Sequence, residues 1–376
     1  MRIGYIDGVP AMNLNRRRLA ALVLTLANCG YSRGTTLERF EFSQPHMGTL
    51  FRIVLYAPDA ATAVAASNAA FERIAALDDI MSDYKPASEL MQLCGRAGGP
   101  PVAVSADLFR VLTAAQDLAE RSDGAFDVTV GPVVRLWRRA RRRHELPDPE
   151  RLARALELVG YQKLSLDPEA RTARLAQAGM LLDLGGIAKG YAADEALARL
   201  ECFGIHSALV AGGGDIAVGD PPPGQAGWRI AIAPLEPPRI QNRKSKIQNL
   251  LLHDAAVSTS GDAEQHVEIE GVRYSHIVNP KTGMALTGRS SVTVVARHCT
   301  TSDGLATAVS VLGPERGLKL VEATPGAGAL FVKETAGGIG SWKVHFPLTE
   351  GGRSDRRPSL ESKGKCQTAK ARMADL

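Results

Sequence analysis

Three groups of residues could do chemistry by their type and spacing. Asp183 to Ala196 reads DLGGIAKGYAADEA, after the apolar run Met180 to Leu182. The pattern predicts the end of a strand, a two-glycine turn and a helix beginning near Ile187, with Lys189 one turn in. Backbone N–H groups and the positive end of a helix dipole meet at such a point and favour an anion. Lys189 would add a mobile cation there, although an ordinary strand-to-helix connection with a solvated lysine fits the same stretch. The spacing is neither that of a Walker loop nor GxGxxG. Asp303 and Thr307 stand four apart in SDGLATAVSVLG, so a helix would put both oxygens on one face. The plainer reading is a helix cap at Asp303 with Thr307 packed inside. His276, in YSHIVNPKTG, has the side chain best suited to act as a base near neutral pH. A structural histidine at a strand end is its rival.

These groups need elements to hold them. Asp59 opens an alanine-rich helix with Val64, Phe71, Ile74 and Leu77 predicted inward, ending in the polar loop MSDYKPASEL. Ser105 caps a second helix whose Leu108, Val111, Leu112, Ala115 and Leu118 keep the helical period, and Asp123-Gly124 stops it. PDPERLARALELVGY gives a third behind a proline start. Strands are predicted over Phe40–Tyr56 (interrupted by His46-Met47-Gly48-Thr49), Lys163–Leu166, Thr172–Leu175, on both sides of the triple-glycine turn in HSALVAGGGDIAVGD, and over Trp228–Ala233, Leu250–Ser260, Val267–Ile277 and Ser291–Ala296. Ala188, Ala192, Ala196 and Leu200 form a small-sided helix face that can press on a sheet. Strands and helices do not alternate one for one, and the strands after Leu250 cluster. The expected class is therefore α+β, one large domain of mixed or antiparallel sheet with packed helices.

The chain has 376 residues, 45% of them apolar and 23% charged, with a net charge of +5. That suits a soluble globular protein with a substantial core. The positive excess is local, at Arg16–Arg18, Arg138–Arg143 and Arg239–Lys246. None of these runs has the interleaved aromatics expected of a nucleic-acid binder. Arg16 to Arg18 precede the apolar segment Leu19–Ala27 and then Cys29. This describes a lipoprotein-type export signal over residues 1–29, while the arginines also fit a twin-arginine leader. Residues 30–39 read as a tether, 40–350 as the catalytic domain, 236–249 as a surface insert in which IQN recurs, and 351–376 as a tail that does not fold. Cys94, Cys202, Cys299 and Cys366 have no metal-ligand spacing and imply no disulfide framework.

DLGGIAKGYAADEA, GAFDVTVGP, AGGGDI, STSGD, YSHIVNPKTG and SDGLATAVSVLG occur in one order over roughly Met47 to Gly313. In this the chain resembles the ApbE-type FAD:protein FMN transferases, many of them exported lipoproteins. The resemblance implies transfer of the FMN half of FAD to a threonine or serine hydroxyl of an acceptor protein, with Mg²⁺ required and AMP released. It implies metal ligation by Asp303, Thr307 and the backbone carbonyl of Gly186. It implies FAD contacts at Met47, Tyr84, Ala125, Phe126, Asp127, Asp183, Lys189 and Ile277, with His276 as the catalytic base or acceptor-positioning group. Ser260 and Asp262 are further candidates for the substrate phosphates. Asp83 departs from the family, which carries threonine there. The resemblance also implies a membrane redox subunit as acceptor and a location on the periplasmic side of the inner membrane, with a lipid anchor at Cys29. FAD pyrophosphatase activity, with water as acceptor, and a non-catalytic flavin-binding lipoprotein remain as alternatives.

Overall fold

The computed structural model describes residues 4–5, 36–232, 235, 248–261 and 266–347. The predicted export signal with Cys29, nearly all of the 236–249 insert, Asp262 and the 351–376 tail lie outside the described residues. Among the described residues no helix is long and apolar enough to cross a membrane.

An eight-stranded antiparallel sheet organises the chain. Its order is Gly338–Val344, Gly328–Thr335, Ser290–Ala296, Ala255–Gly261, Asp215–Val218, Ala208–Gly212, Thr49–Ala57 and Glu38–His46. The period of two decides which face each side chain serves. Phe51, Ile53 and Leu55 enter the main core, whereas Val54 enters a second core on the opposite face. The first face carries helices α1 (Ala60–Met81), α6 (Ala188–Glu201) and α7 (Cys299–Glu322). The second is covered by the hairpin of Trp228–Ile232 with Gln248–Leu252, whose Trp228, Ile230, Leu250 and Leu252 are buried. A third core lies under α4 (Gly131–Arg143) and α5 (Pro149–Leu156), where Trp137 meets Tyr274 of a three-stranded sheet. The expected α+β class is the observed one, with antiparallel pairing throughout the large sheet.

Local chemistry accounts for the predicted helix starts. Asp59 Oδ1 accepts from Thr62 N at 2.7 Å, Ser105 Oγ from Leu108 N at 3.2 Å to start α3 (Ala106–Arg121), and Asp148 Oδ1 from Arg151 N at 2.9 Å ahead of Pro149.

Several boundaries differ from the sequence-based reading. Phe40–Tyr56 is two strands, because Met47 (φ 50°) and Gly48 (φ 72°) form the left-handed pair of a tight hairpin turn. Leu250–Ser260 breaks at Asp254 (φ 43°), so its halves join different sheets. Val267–Ile277 folds back at Glu270-Gly271 into a hairpin. Met180 and Leu182 are buried and Leu181 half-buried, but the run is not a strand; Leu182 N donates to Cys94 Sγ at 3.3 Å and Asp183 N to the Val128 carbonyl at 2.8 Å. Val64 is exposed rather than inward, since α1 turns Ala63, Ala66 and Ala70 to the core beside Phe71 and Ile74. The hairpin Gly328–Thr335 with Gly338–Val344 was not expected and extends the sheet at one edge.

Candidate active site

The glycine turn of DLGGIAKG is built by its own first residue. Asp183 Oδ1 accepts from Gly185 N at 2.8 Å, which bends the chain so that α6 begins at Ala188 with Ile187 half in. Four residues of this stretch have almost no side chain to interfere, and α6 comes very close to α7. A Cβ built on Gly190 would stand 2.3 Å from the Cys299 carbonyl oxygen. Only glycine allows that approach.

The close approach brings Asp303 to α6. Its Oδ2 accepts from Gly190 N at 3.1 Å and lies 3.5 Å from Lys189 Nζ. Asp303 is therefore not the cap of its own helix, which starts four residues earlier. Asp194 of α6 does the capping: it accepts from Cys299 N at 2.7 Å, and from Thr300 N at 2.8 Å and Thr300 Oγ1 at 2.6 Å. One carboxylate thereby sets the register of α7 against α6. One turn beyond Asp303, Thr307 Oγ1 would be 2.9 Å from a Cβ on Gly186, and Phe126 Cε2 would be 3.3 Å from it. The bare backbone at Gly186 thus faces the Thr307 hydroxyl and the Phe126 ring.

Lys189 is not a solvated lysine. Nζ lies 3.0 Å from Asp215 Oδ2 and donates to the Gly185 carbonyl at 2.9 Å. Burial works against its charge, but the Asp215 and Asp303 carboxylates outweigh it and hold the ammonium well above its usual range. Asp303 feels the opposite balance. Burial, then repulsion from Asp215, push it up to about 7 against the pull of Lys189. Asp215 ends the triple-glycine turn, and Gly214 keeps that turn against the next strand, where its carbonyl accepts from Thr259 N at 2.9 Å. Ser260 follows Thr259 in that strand. A Cβ on Gly213 would stand 3.5 Å from Thr49 Oγ1 and 3.9 Å from Lys189 Cε, so the Met47 hairpin turn meets the same centre. Met47 packs on the core edge and, with Pro45, His46, Gly48, Thr49 and Asp78, lines an open groove of about 330 Å³.

Arg138 binds the first residue of the glycine turn. It donates to Asp183 Oδ2 at 2.7 Å and to Asp83, and its guanidinium lies 4.3 Å over the Tyr84 ring. Tyr84 is 72% exposed, so that ring is open to a stacking partner. Burial and the Asp183 carboxylate push Asp83 up, while Arg138 pulls it down. The departure from threonine at Asp83 therefore has a partner in this chain.

The other predicted residues lie on the GAFD segment and on the strand Val272–Val278. Ala125 and Phe126 are buried, and Phe126 N donates to Ser122 Oγ at 3.0 Å. Asp127 caps a short turn, accepting from Thr129 N at 2.8 Å and Thr129 Oγ1 at 2.6 Å, and burial raises its pKa. His276 is half-buried and Ile277 buried on the strand Val272–Val278, which packs on α7 and α4. The loop after them is tied to the GAFD segment, with Lys281 Nζ 2.6 Å from Asp123 Oδ2. The structure thus gathers Asp183, Gly186, Lys189, Phe126, Asp303 and Thr307 directly, and links Tyr84 through Arg138 and Met47 through Thr49.

Among the described residues no three His, Cys, Asp or Glu side chains form a metal cluster. The Thr307 hydroxyl instead faces the bare Gly186 backbone, with the Asp303 carboxylate one turn before it on α7, and oxygen donors of this kind suit a hard cation such as Mg²⁺.

A model of the ApbE family matches residues 47–331. The chain belongs to the ApbE family. It is 36% identical over 332 residues to the FAD:protein FMN transferase of Treponema pallidum (strain Nichols), covering 84% of this chain and 90% of that protein. Among solved structures, the flavin transferase ApbE from Vibrio cholerae superposes with a TM-score of 0.73 at 32% identity, over 82% of this chain and 98% of that one. The apo form of the Pseudomonas stutzeri flavinyl transferase ApbE gives 0.72 at 30% identity, over 83% and 96%. The match begins at Met47 and runs through all six motifs, so this member of the ApbE family carries the whole constellation described above.

Asp215, Arg138 and Asp194 received no role in the sequence reading. Asp215 directly follows the three glycines of AGGGDI, and that placement is its signal in the sequence. Arg138 read as one of a surface cluster, because its partners are 55 and 45 residues away.

Proposed function

We propose that this protein is an FAD:protein FMN transferase, moving the FMN half of FAD to a threonine or serine hydroxyl of another protein with release of AMP. The observation that carries the reading is the meeting of Lys189, Asp303, Thr307 and the bare Gly186 backbone at one helix start, linked through Asp183 and Arg138 to an exposed Tyr84. Asp303, Thr307 and the Gly186 carbonyl would hold Mg²⁺. When bound, the ion supplies positive charge against the substrate pyrophosphate. Lys189 keeps its charge through Asp215 and offsets part of the negative charge that Asp215 and Asp303 place there. Tyr84, steadied by Arg138, offers a face for the isoalloxazine, and Phe126 and Ile277 offer apolar lining. The acceptor hydroxyl attacks the phosphorus on the FMN side and its proton passes to His276. The bond to the AMP oxygen breaks as the new phosphoester forms.

Incubation with FAD, Mg²⁺ and a candidate acceptor, followed by mass spectrometry of the acceptor, tests the reading. Wild type should give an FMN-sized adduct and stoichiometric AMP, and Asp303→Ala should give neither. AMP without adduct would make the enzyme a pyrophosphatase, and FAD binding without AMP would make it a carrier.

The leader pattern of Arg16–Cys29 supports export and lipid anchoring at Cys29, and the family resemblance supports the periplasmic side of the inner membrane. A membrane redox subunit is the matching acceptor. Palmitate labelling that survives Cys29→Ser would refute the anchor.

A further inference from the structure

Helix α4 carries Arg135, Arg138, Arg139, Arg141, Arg142 and Arg143 and no acidic residue. Arg138 is neutralised inside the site by Asp83 and Asp183. The others have no carboxylate within ion-pairing distance among the described residues; Arg135 touches only Met91 Sδ, at 3.7 Å. Arg135, Arg139, Arg142 and Arg143 are exposed. Compensation of the helix dipole explains basic residues in the last turn, Arg141 to Arg143. It does not explain Arg135 and Arg139, which lie outside that turn. Helical spacing puts Arg135, Arg138, Arg139 and Arg142 on one face, with Arg141 and Arg143 at its two edges. Through Arg138 this face is continuous with Tyr84 and with Asp183 at the mouth of the site.

We infer that the arginine face of α4 docks an acidic segment of the acceptor polypeptide, beside the hydroxyl that receives FMN. The inference rests on the transfer reading above. A polypeptide acceptor must lie across the mouth to deliver its hydroxyl, and the flanking surface it meets on this side is uncompensated positive charge. Acidic side chains complement that surface and steer the encounter. An anionic membrane surface held there instead would cover Tyr84 and shut the acceptor out, so the polypeptide is the occupant that the geometry favours.

The test uses the full chain with FAD bound and a fluorescein-labelled peptide, a threonine between two runs of aspartate. A second peptide has every aspartate replaced by asparagine, and vesicles of phosphatidylglycerol and phosphatidylcholine form a third arm. Anisotropy should show the aspartate peptide binding wild type about tenfold or more tightly than the asparagine peptide. The advantage should be lost in the R135E/R139E/R142E triple variant and shrink with added salt, while FAD quenching stays as in wild type. If charge reversal perturbs folding, as loss of FAD quenching would reveal, the R135Q/R139Q/R142Q variant replaces it with the same expectation. Equal binding of the two peptides, undiminished binding by the variants, or vesicles bound more tightly than the peptide would each overturn the docking inference while leaving FAD binding intact. Wild type that fails to bind FAD would overturn the transfer reading itself.

Discussion

Lys189 Nζ lies 3.0 Å from Asp215 Oδ2, although 26 residues separate them and one is on a helix and the other on the central sheet. The sheet thereby positions a cation that the helix carries to the site. Asp215 is almost fully buried and the lysine side chain is about a quarter exposed. Removing one partner strands the other's charge, a loss on the order of 3 kcal/mol. Asp215→Asn and Lys189→Met should each destabilise the fold by about that much in urea titration, and the double variant by clearly less than their sum. Additive losses would mean that the contact carries no coupling.

The raised pKa of Asp303 gives the proposed metal requirement a pH dependence. Its carboxyl is pushed up to about 7, so below that pH a proton occupies the oxygens a cation would need. Proton and cation compete, and the competition favours the proton as pH falls. The Mg²⁺ concentration for half-maximal AMP release should rise about tenfold per pH unit below about 7 and level off above it. A half-saturating concentration that is flat from pH 6 to 8 would remove Asp303 from the metal-binding role.

Two glycines should separate chemistry from folding. A side chain at Gly186 would press on Thr307 Oγ1, the end of a small side chain, at 2.9 Å. Gly186→Val should therefore abolish transfer with a near-normal melting temperature. At Gly190 the obstacle is the Cys299 backbone at 2.3 Å, which cannot swing away. Gly190→Ala should cost about 3 kcal/mol or more by forcing α6 from α7. A Gly186→Val enzyme of full activity would refute the proposed role of that turn.

Arg138 should matter to FAD more than to the chemical step. Arg138→Ala frees the Tyr84 ring and leaves Asp83 and Asp183 without their shared cation. The KM for FAD should rise by about tenfold or more, with a smaller change in kcat. Asp83→Thr, which restores the family residue, should leave Arg138 bound to Asp183 and keep most of the affinity. A kcat effect as large as the KM effect in Arg138→Ala would argue for a direct catalytic part.

The amino-acid order by itself determined the helix starts at Asp59, Ser105 and Asp148, the glycine turn before α6, the α+β class and the family. These rest on contacts within a few residues, on the periodicity of apolar positions, or on motifs kept in one order, all of which a linear chain displays. The sequence shows the interruption at His46–Thr49 but not the turns that divide Leu250–Ser260 and Val267–Ile277. At Asp254 and Glu270 the left-handed backbone is adopted by residues other than glycine, so no glycine marks the turning residue itself.

What only the tertiary structure decided is who neutralises whom. Lys189 read as a free cation for phosphate, and the fold gives it two carboxylates from a strand and another helix. Asp303 has a helix cap as its plainer reading in the sequence, but Asp194 on α6 takes that task and leaves Asp303 against Gly190 and Lys189. Arg138 looked like part of a solvated run until Asp83 and Asp183 closed around it. In each case the decisive partner is distant along the chain. Coulomb attraction and desolvation depend on distance and burial, which exist only after the sheet and helices have packed.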